Sequence, residues 1–383
     1  MEIVKVDHWM VRVPFRETIN WGSGARIGST RLICRIETRS GAIGWGETLC
    51  LIDTVPAVFA NVVARLAIGR SVAEAEAFYR HVLGAGYYHH KRAAVMAMAA
   101  LEMAMWDALG HIAGLPCHAL WGGRFRDTVP AAAYTFTRDP DALTDRLRDF
   151  RDRGFGTFKV KIGFDVDSDI ALATAARAAI GNAPLRLDVN GAWTPGTARR
   201  QLAKLAPLDP FYVEQPLELD DIAGHRALRQ CQTVPIALDE SAYTLEDTGN
   251  IVHAEAADVI LLDPHQAGGL WPVIKAAGIA EAHGIPVTLH SGAELAISQA
   301  AYVHLGASIP NLSLAIDTER DYLAADIAPD TPPLTRGAYE VPTAPGLGVT
   351  PSLDMIEEFR VTRIEGAYLD QSRPGWFPMK PAY

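Results

Sequence analysis

Residues 158–163 read Phe-Lys-Val-Lys-Ile-Gly, a short apolar run that carries two lysines. After Lys161 an acid or a histidine ends one apolar run after another, at intervals of 24 to 27 residues, and Thr135 precedes Lys161 by 26. The series is Asp188, Glu214, Asp239, Asp263, His290 and Asp317. Consecutive strands of a parallel β/α barrel present functional side chains in this way, because their carboxyl ends meet at one mouth. The spacing therefore predicts such a barrel, with its site at that mouth.

The remaining sequence predicts a second domain. The chain has 383 residues, whereas a typical barrel needs about 250. An antiparallel meander up to Cys50 is followed by Ala-rich helical periodicity that stops at Gly114 and Pro116. We therefore predict an α+β capping domain over residues 1–125, a barrel over 126–350 and a C-terminal segment, 351–383, that packs on the cap.

Composition narrows the choice of partners. The formal net charge is −10, from 45 acidic and 35 basic residues, and no basic run offsets it. This balance argues against a nucleic-acid partner. The N-terminus shows no signal-peptide pattern, and no uninterrupted apolar run approaches the ~20 residues of a membrane span. We expect a cytoplasmic protein that does not bind membranes.

Three acids of the series predict a metal site. Asp188, Glu214 and Asp239 end consecutive strands, which lie about 5 Å apart at a barrel mouth. Three carboxylates this close repel one another unless a cation neutralises them. A set of oxygen ligands favours a hard divalent ion, Mg²⁺ or Mn²⁺. Glu240, the next residue, is the alternative third ligand.

The two lysines predict a base. Lys159 and Lys161 are two residues apart on a strand, so both face the barrel interior. Interior positions of a barrel are usually apolar, and two lysines there are costly without a function. Each should suppress protonation of the other, which makes Lys161, nearer the mouth, a base near neutral pH. The alternative is a salt bridge to a neighbouring acid.

His290 predicts a second acid/base group. His290 and Asp263 end neighbouring strands, so the carboxylate can orient the imidazole and raise its basicity. In strand order the pair lies across the mouth from Lys161. A substrate at the metal would then have a lysine on one face and a histidine on the other.

One loop of the predicted cap offers further groups. Residues 21–29 are rich in glycine and serine and include Trp21 and Arg26. This composition predicts a loop that could offer an aromatic ring and a cation to a substrate. The alternative is an ordinary connecting loop.

This set of residues suits proton abstraction next to a carboxylate. A metal holds the substrate carboxylate while a base removes the proton from the adjacent carbon, giving an enediolate. Reprotonation on the other face gives racemisation or epimerisation, whereas loss of a β-hydroxyl gives dehydration.

Taken together, these residues resemble the enolase superfamily, specifically its mandelate racemase and glucarate dehydratase branches. The resemblance covers essentially the whole chain. It rests on the Lys159-x-Lys161 pair, the three strand-end acids and the His–Asp pair. Sites of this superfamily use a Lys or His base with Mg²⁺. The resemblance implies a modified (β/α)7β barrel with an N-terminal α+β cap that the C-terminal segment completes.

Shorter strings are similar to glucarate dehydratases. They are Asp263-Pro264-His265, His290-Ser291, Ala315-Ile316-Asp317-Thr318, Pro345-Gly346-Leu347-Gly348-Val349 and Pro374-Gly375-Trp376. The resemblance implies that Lys161 and His290 are opposed acid/base catalysts and that Asp263 partners His290. It also implies that Asp317 lies at the substrate and that the Trp21–Arg26 loop closes over the substrate's distal end. The chain departs from those enzymes at Asp239-Glu240 and Gly292, where they carry asparagine.

The leading hypothesis is a Mg²⁺-dependent dehydratase of acid sugars, which are small-molecule carboxylates. The alternatives are a racemase or epimerase of a 2-hydroxy acid or amino acid derivative, and a cycloisomerase of sugar lactones. A non-catalytic binder of sugar acids has no use for two opposed bases. We also expect a homo-oligomer.

Overall fold

The computed structural model describes residues 1–21, 24–85, 91–364 and 383. The chain opens with an antiparallel sheet of strands β1 (Ile3–Trp21), β2 (Gly24–Thr38) and β3 (Ile43–Leu49). The first two strands stay paired to their ends, where Trp21 lies opposite Gly24. The predicted loop over residues 21–29 is therefore wrong from Gly24 onward. Pairing across the hairpin satisfies the backbone groups of this glycine- and serine-rich stretch better than a loop would.

Helices cover one face of this sheet. They are α1 (Thr54–Val58), a π-helical turn (Phe59–Val63), α2 (Ala64–Ala67), α3 (Ala75–Gly84), α4 (Lys91–Ala113) and α5 (Cys117–Leu120). Strand β3 lies directly on α4, because Gly44 and Gly46 carry no Cβ that would collide with the carbonyl oxygens of α4. Among the described helices, α4 alone is long and apolar enough to cross a membrane, but 78% of its most apolar window is buried inside the protein.

Eight parallel strands form the barrel. They are β4 (Thr128–Thr135), β5 (Phe158–Lys161), β6 (Leu185–Asp188), β7 (Tyr212–Glu214), β8 (Ile236–Leu238), β9 (Val259–Leu262), β10 (Val287–Leu289) and β11 (Ile316–Thr318). Consecutive strands pair with one another from β4 through to β10, and β11 pairs with β4. The outer helices are α6 (Pro140–Asp152), α7 (Val166–Ile180), α8 (Pro195–Leu205), α9 (Ile222–Cys231), α10 (Leu245–His253), α11 (Pro264–Ala267), α12 (Leu270–Ala282) and α13 (Ala296–Ser308).

No full-length helix follows β11 in the described chain. A 3₁₀ turn (Arg320–Tyr322) leads to the short hairpin β12 (Leu334–Thr335) and β13 (Ala338–Glu340), and β13 pairs with β4. Helix α14 (Leu353–Glu358) comes next. This arrangement confirms the predicted (β/α)7β barrel with an α+β cap.

The described end of the chain touches both parts of the protein. The carbonyl of Phe359 accepts a hydrogen bond from Arg12 in β1, and Val361 donates one to Met10. Tyr383 lies on the barrel, where its carbonyl accepts a hydrogen bond from Thr194. The predicted C-terminal segment also includes residues 365–382, which lie outside the described residues, so its boundary stays a prediction.

Candidate active site

The barrel mouth gathers most of the predicted site. Lys161, Asp188 and Glu214 are the last residues of adjacent strands, and they are paired in register across those strands. Asp239 and His290 lie one residue beyond β8 and β10. A cavity of about 160 Å³ lies between this mouth and the cap. The predicted residues that line it are Trp21, Arg26, Lys161, Asp239, Glu240 and His290.

A larger cleft of about 740 Å³ adjoins this cavity at Phe136. Its walls include Glu17, Arg138 and Arg146 but none of the strand-end acids. We place the chemistry in the smaller cavity, because of these two it is the one lined by Lys161, Asp239 and His290.

Lys161 is held by two partners. Its Nζ donates to Asp188 Oδ2 at 2.7 Å and to the Tyr134 hydroxyl at 3.1 Å. Tyr134 in turn donates to the same Asp188 oxygen. Burial alone would raise the pKa of Asp188, but Lys161 and Lys159 hold it well below its usual range. The salt bridge that was the alternative interpretation of Lys161 is therefore present, and it lies inside the site.

Lys159 lies deeper and remains charged. Its Nζ donates to Glu214 Oε1 at 2.7 Å and to Asp317 Oδ2 at 2.6 Å. Burial opposes the charge, but these carboxylates raise the pKa of Lys159 well above its ordinary value. The expectation that the two lysines suppress each other's protonation is therefore wrong for Lys159, because two buried carboxylates bind its ammonium group directly.

The carboxylates fit a divalent cation. Glu214 Oε2 and Asp239 Oδ1 are buried, and neither has a hydrogen-bond partner among the described residues. Burial raises the pKa of Glu214 well above its ordinary value, and the neighbouring Asp188 raises it further. Oxygen atoms without donors on adjacent strand ends are what a hard cation would satisfy. Asp188, Glu214 and Asp239 could hold it, and Glu240 lines the cavity beside Asp239.

A second group of side chains is close enough to suggest a metal site. The potential ligand atoms of Glu214, His290 and Asp317 lie within 4.8 Å of one another. However, Asp317 already accepts from Lys159 at 2.6 Å and from Arg186 at 3.1 Å, one cation on each oxygen. An ion there would have to displace two buried cations, so the three strand-end acids are the better ligand set.

His290 does not pair with Asp263. Its Nδ1 lies 3.0 Å from Asp239 Oδ2 instead. Asp263 Oδ1 accepts from the backbone N–H of His265 at 2.7 Å and from the Tyr302 hydroxyl at 2.9 Å. The predicted pairing is wrong, because Asp263 caps the N-terminus of α11 instead.

The charges around His290 favour its protonated form. Burial lowers the pKa of the imidazole, but Asp239 outweighs burial and raises that pKa to about 10. Burial also raises the pKa of Asp263 to about 6, which His290 opposes. Asp263 therefore acts on His290 only as a more distant charge.

Asp317 is not at the cavity. It is fully buried beneath it, held by Lys159 and Arg186. Glu319 follows two residues later and lines the cavity. Its carboxylate accepts two hydrogen bonds from Arg26 Nη2, at 3.0 and 3.3 Å. Burial raises the pKa of Glu319, and the guanidinium of Arg26 opposes that shift.

Arg26 fixes the cap over the mouth. Its Nη1 donates to the carbonyl of Gly292, the second residue after His290, at 3.3 Å. Its guanidinium also lies over the rings of Trp21 and Phe15, at 5.5 and 5.7 Å. Trp21 and Arg26 therefore both lie at the cavity.

Two family models cover the chain almost end to end. The "Mandelate racemase / muconate lactonizing enzyme, N-terminal domain" matches residues 2–122, and the "Enolase C-terminal domain-like" family matches residues 142–355. The chain belongs to the enolase superfamily. Within this superfamily it falls in the mandelate racemase and muconate lactonizing enzyme branch, as the sequence predicted.

Individual relatives of this superfamily member differ in their reactions. The chain is 29% identical to an L-Ala-D/L-Glu epimerase of Bacillus subtilis, over 91% of this chain and 97% of that protein. It is 30% identical to a probable glucarate dehydratase of Streptomyces coelicolor, over 83% and 82%. An enolase from Thermobispora bispora, solved with magnesium and formate, superposes with a TM-score of 0.86 at 28% identity, over 94% of this chain and 92% of that one.

Sequence reasoning missed four polar residues of this superfamily site. They are Tyr134, Asn190, Gln266 and Glu319. Asn190 donates to Glu240, and Gln266 Oε1 is buried without a hydrogen-bond partner among the described residues. Glu319 could have been found, since a residue two positions beyond Asp317 lies on the same face of the strand.

Proposed function

We propose that this protein is a Mg²⁺-dependent dehydratase of acid sugars. One observation carries the proposal: Lys161 and His290 enter one cavity from β5 and from the end of β10, on either side of Asp188 and Asp239. Two proton-transfer groups around a set of acids suit removal of a proton next to a substrate carboxylate. The likeness to a probable glucarate dehydratase supports the choice of dehydration.

The metal would be held by Asp188, Glu214 and Asp239. When bound, Mg²⁺ or Mn²⁺ supplies positive charge that anchors the substrate carboxylate and stabilises the negative charge that develops on it. The magnesium in the Thermobispora bispora enolase supports the choice of metal.

The proton transfers fall to two residues of the chain. Lys161 Nζ takes the proton from the carbon next to the carboxylate, and Tyr134 keeps Nζ in place through its hydroxyl. His290 donates a proton to the β-hydroxyl, which leaves as water. The resulting enol then becomes a 2-keto-3-deoxy acid by gaining a proton at C3 and losing the proton of its hydroxyl. Lys161 afterwards releases its proton to solvent and His290 takes one up, which restores the enzyme.

Epimerisation is the second candidate function. The same two residues could remove a proton from one face and return one to the other face without losing a hydroxyl. The likeness to an L-Ala-D/L-Glu epimerase supports it. The products distinguish the two, since only dehydration gives a 2-keto acid.

We further propose that the partner is a small carboxylate and that neither nucleic acid nor membrane is bound. The net charge of −10 supports the former exclusion, and the burial of α4 supports the latter. We also propose that the protein is cytoplasmic and forms a homo-oligomer.

A screen of acid sugars tests this function. Purified protein with Mg²⁺ is incubated with a library of aldonates and aldarates, and 2-keto acids are detected with semicarbazide. We expect product from a small group of stereochemically related acids, formed at least roughly 100-fold more slowly by the Lys161→Ala variant. Absence of any 2-keto product, with epimers formed instead, would replace the dehydratase with the epimerase.

A further inference from the structure

Arg26, the cation that the cap places over the cavity, is already paired with the carboxylate of Glu319. Arg26 Nη2 contacts both oxygens of Glu319, at 3.0 and 3.3 Å, and Nη1 donates to the carbonyl of Gly292 at 3.3 Å. Both side chains of the pair are largely buried, at 12% and 2% exposure. A buried, two-point ion pair of this kind leaves the guanidinium little capacity to bind another anion.

The other cations at the cavity also face carboxylates of the protein. Among the described residues that line it, only Lys161 and His290 carry further positive charge. Lys161 faces Asp188 at 2.7 Å, and His290 faces Asp239 at 3.0 Å. Both belong to the reacting end of the substrate. Among the described residues that line this cavity, no uncommitted cation is therefore left at the distal end for a second carboxylate.

The rest of the distal wall offers acceptors and apolar surface. Gln266 is nine-tenths buried and lines the cavity, and its Oε1 lacks a hydrogen-bond partner in the described structure. Glu319 adds a carboxylate. Trp21, Leu49 and Phe136 supply apolar surface. Such a wall suits hydroxyl groups, which donate hydrogen bonds and carry no charge.

We infer that the substrate carries a single carboxylate and an uncharged, hydroxylated distal end, as in an aldonate rather than an aldarate. The inference rests on the proposed function, since it takes the metal end of the cavity as the place of the first carboxylate. A second carboxylate beside Glu319 would lose its hydration without gaining a cation. Burying such a charge is strongly unfavourable.

Matched acids provide the test. D-Gluconate and D-glucarate differ only at C6, which is a hydroxymethyl group in one and a carboxylate in the other. We would measure kcat/KM with Mg²⁺ for aldonates of four to six carbons and for the aldarates that match them in length and configuration. We expect the best aldonate to exceed its matched aldarate by about 100-fold or more, the range reached when a site leaves a polar group unpaired.

The Glu319→Gln variant should move this ratio. Without the carboxylate, Arg26 is free to bind a distal anion. We expect the aldonate-to-aldarate ratio of kcat/KM to fall by about tenfold or more. Glu340→Gln, at an exposed position of β13, is the matched control and should leave the ratio unchanged.

A double variant, Arg26→Met with Glu319→Gln, removes both charges of the ion pair and tests the same point. If Arg26 does not bind a distal carboxylate in the wild type, the double variant does not raise the aldonate-to-aldarate ratio of kcat/KM above that of the wild type. A selective loss of aldarate turnover in this variant would overturn the inference. So would a wild type that uses aldarates as well as aldonates, and in that case the proposed dehydration would still stand. Absence of 2-keto product from every acid would instead contradict the proposed function.

Discussion

At the scale of single residues, the Tyr134 hydroxyl links the proposed base to a proposed metal ligand. It accepts a hydrogen bond from Lys161 at 3.1 Å and donates one to Asp188. Its ring also lies under the Lys159 ammonium, 4.5 Å from the ring centroid. Tyr134 thus holds Lys161 at the cavity edge, where it is needed for proton transfer.

The Tyr134→Phe substitution removes this link and keeps the ring. We expect kcat to fall roughly 10- to 100-fold, since a hydrogen bond to a charged group contributes about 1.5–3 kcal/mol. The thermal unfolding midpoint should change little, because the aromatic packing stays. Steady-state kinetics with the best substrate of the screen measures the effect.

Tyr212→Phe is the matched control. Tyr212 is buried at the start of β7, two residues before Glu214. Its hydroxyl has no hydrogen-bond partner among the described residues. Its removal should leave kcat unchanged. Equal rates for Tyr134→Phe and wild type would show that the hydroxyl has no part in catalysis.

The strand-end acids give a second prediction. Asp188→Asn and Glu214→Gln each remove a charged oxygen ligand, so Mg²⁺ binding and turnover should both be lost while the barrel stays folded. Titration calorimetry with Mg²⁺ measures the first, and circular dichroism checks the fold. Glu218→Gln, just past the end of β7, is the control. Full Mg²⁺ affinity in both ligand variants would contradict the assignment.

The sequence predicted the positions of these residues better than their partners. Lys161, Asp188 and Glu214 could be placed at the mouth, because a strand end has only one location in a parallel barrel. The partner of His290 could not, because Asp263 was free either to face the imidazole or to cap its own helix. That choice depends on side-chain orientation, which cannot be predicted from the spacing of residues along the chain.

At the scale of elements, Glu102 joins the cap to the barrel. It lies on α4 and accepts hydrogen bonds from the backbone N–H groups of Leu270 and Trp271, at 2.7 and 2.9 Å. Those N–H groups begin α12 and have no partner within their own helix. Trp106 donates to the same carboxylate at 2.8 Å. A buried side chain of the cap therefore accepts hydrogen bonds from the free N–H groups at the start of a barrel helix.

This contact predicts a specific pH dependence of stability. Burial raises the pKa of Glu102 from its ordinary value of 4.5 to about 7. The folded state therefore holds this proton more tightly than the unfolded state does. Its contribution to stability is fully present below about pH 4.5 and is lost as pH rises through about 7. Wild-type stability gains from this group in acid and loses that gain near neutrality.

The Glu102→Gln variant isolates this contribution. It should unfold at a lower temperature than wild type, because glutamine has one acceptor oxygen for several donors. The difference between the two midpoints should be larger at pH 5 than at pH 8. Scanning calorimetry across this range measures it, with the exposed Glu358→Gln on α14 as control. A difference that grows with pH would mean that burial does not raise this pKa.

The sequence predicted which segments form strands, but it did not predict how neighbouring strands align. The sequence interval aligned Thr135 with Lys161, but the structure pairs Tyr134 with Lys159 and Thr135 with Val160. A shift of one residue turns every side chain to the other face of a strand. Tyr134 consequently faces the lysines, and the Thr135 hydroxyl donates to a backbone carbonyl instead.

At the scale of the whole molecule, the cap and the barrel meet around the site. Glu47 in β3 accepts hydrogen bonds from Leu295 and Ser298, at 2.9 and 3.0 Å, and pairs with Arg31 at 3.4 Å. Arg31 also donates to the carbonyl of Gly292. Backbone next to His290 is therefore fixed from the cap, so neither part of the chain builds the cavity alone. The sequence could not predict these contacts, since they join residues about 250 positions apart.

Metal removal should act on both activity and stability. EDTA should abolish turnover, and added Mg²⁺ should restore it. Mg²⁺ at a hundred times its dissociation constant should also stabilise the folded protein by about 2.7 kcal/mol, because it binds only that state. The thermal midpoint with and without Mg²⁺ measures this shift. An unchanged midpoint together with full activity in EDTA would exclude a metal at the strand-end acids.

Proton nuclear magnetic resonance in D₂O tests the central claim, that Lys161 and His290 remove a proton next to a carboxylate and expel a hydroxyl. With Mg²⁺ and the best aldonate, we predict a 2-keto-3-deoxy acid that carries one deuterium at C3. Lys161→Ala and His290→Asn should each slow its formation by roughly 10²- to 10⁴-fold. Deuterium at C2 without any keto product would replace dehydration with epimerisation. Product formed at the wild-type rate by both variants would contradict the account.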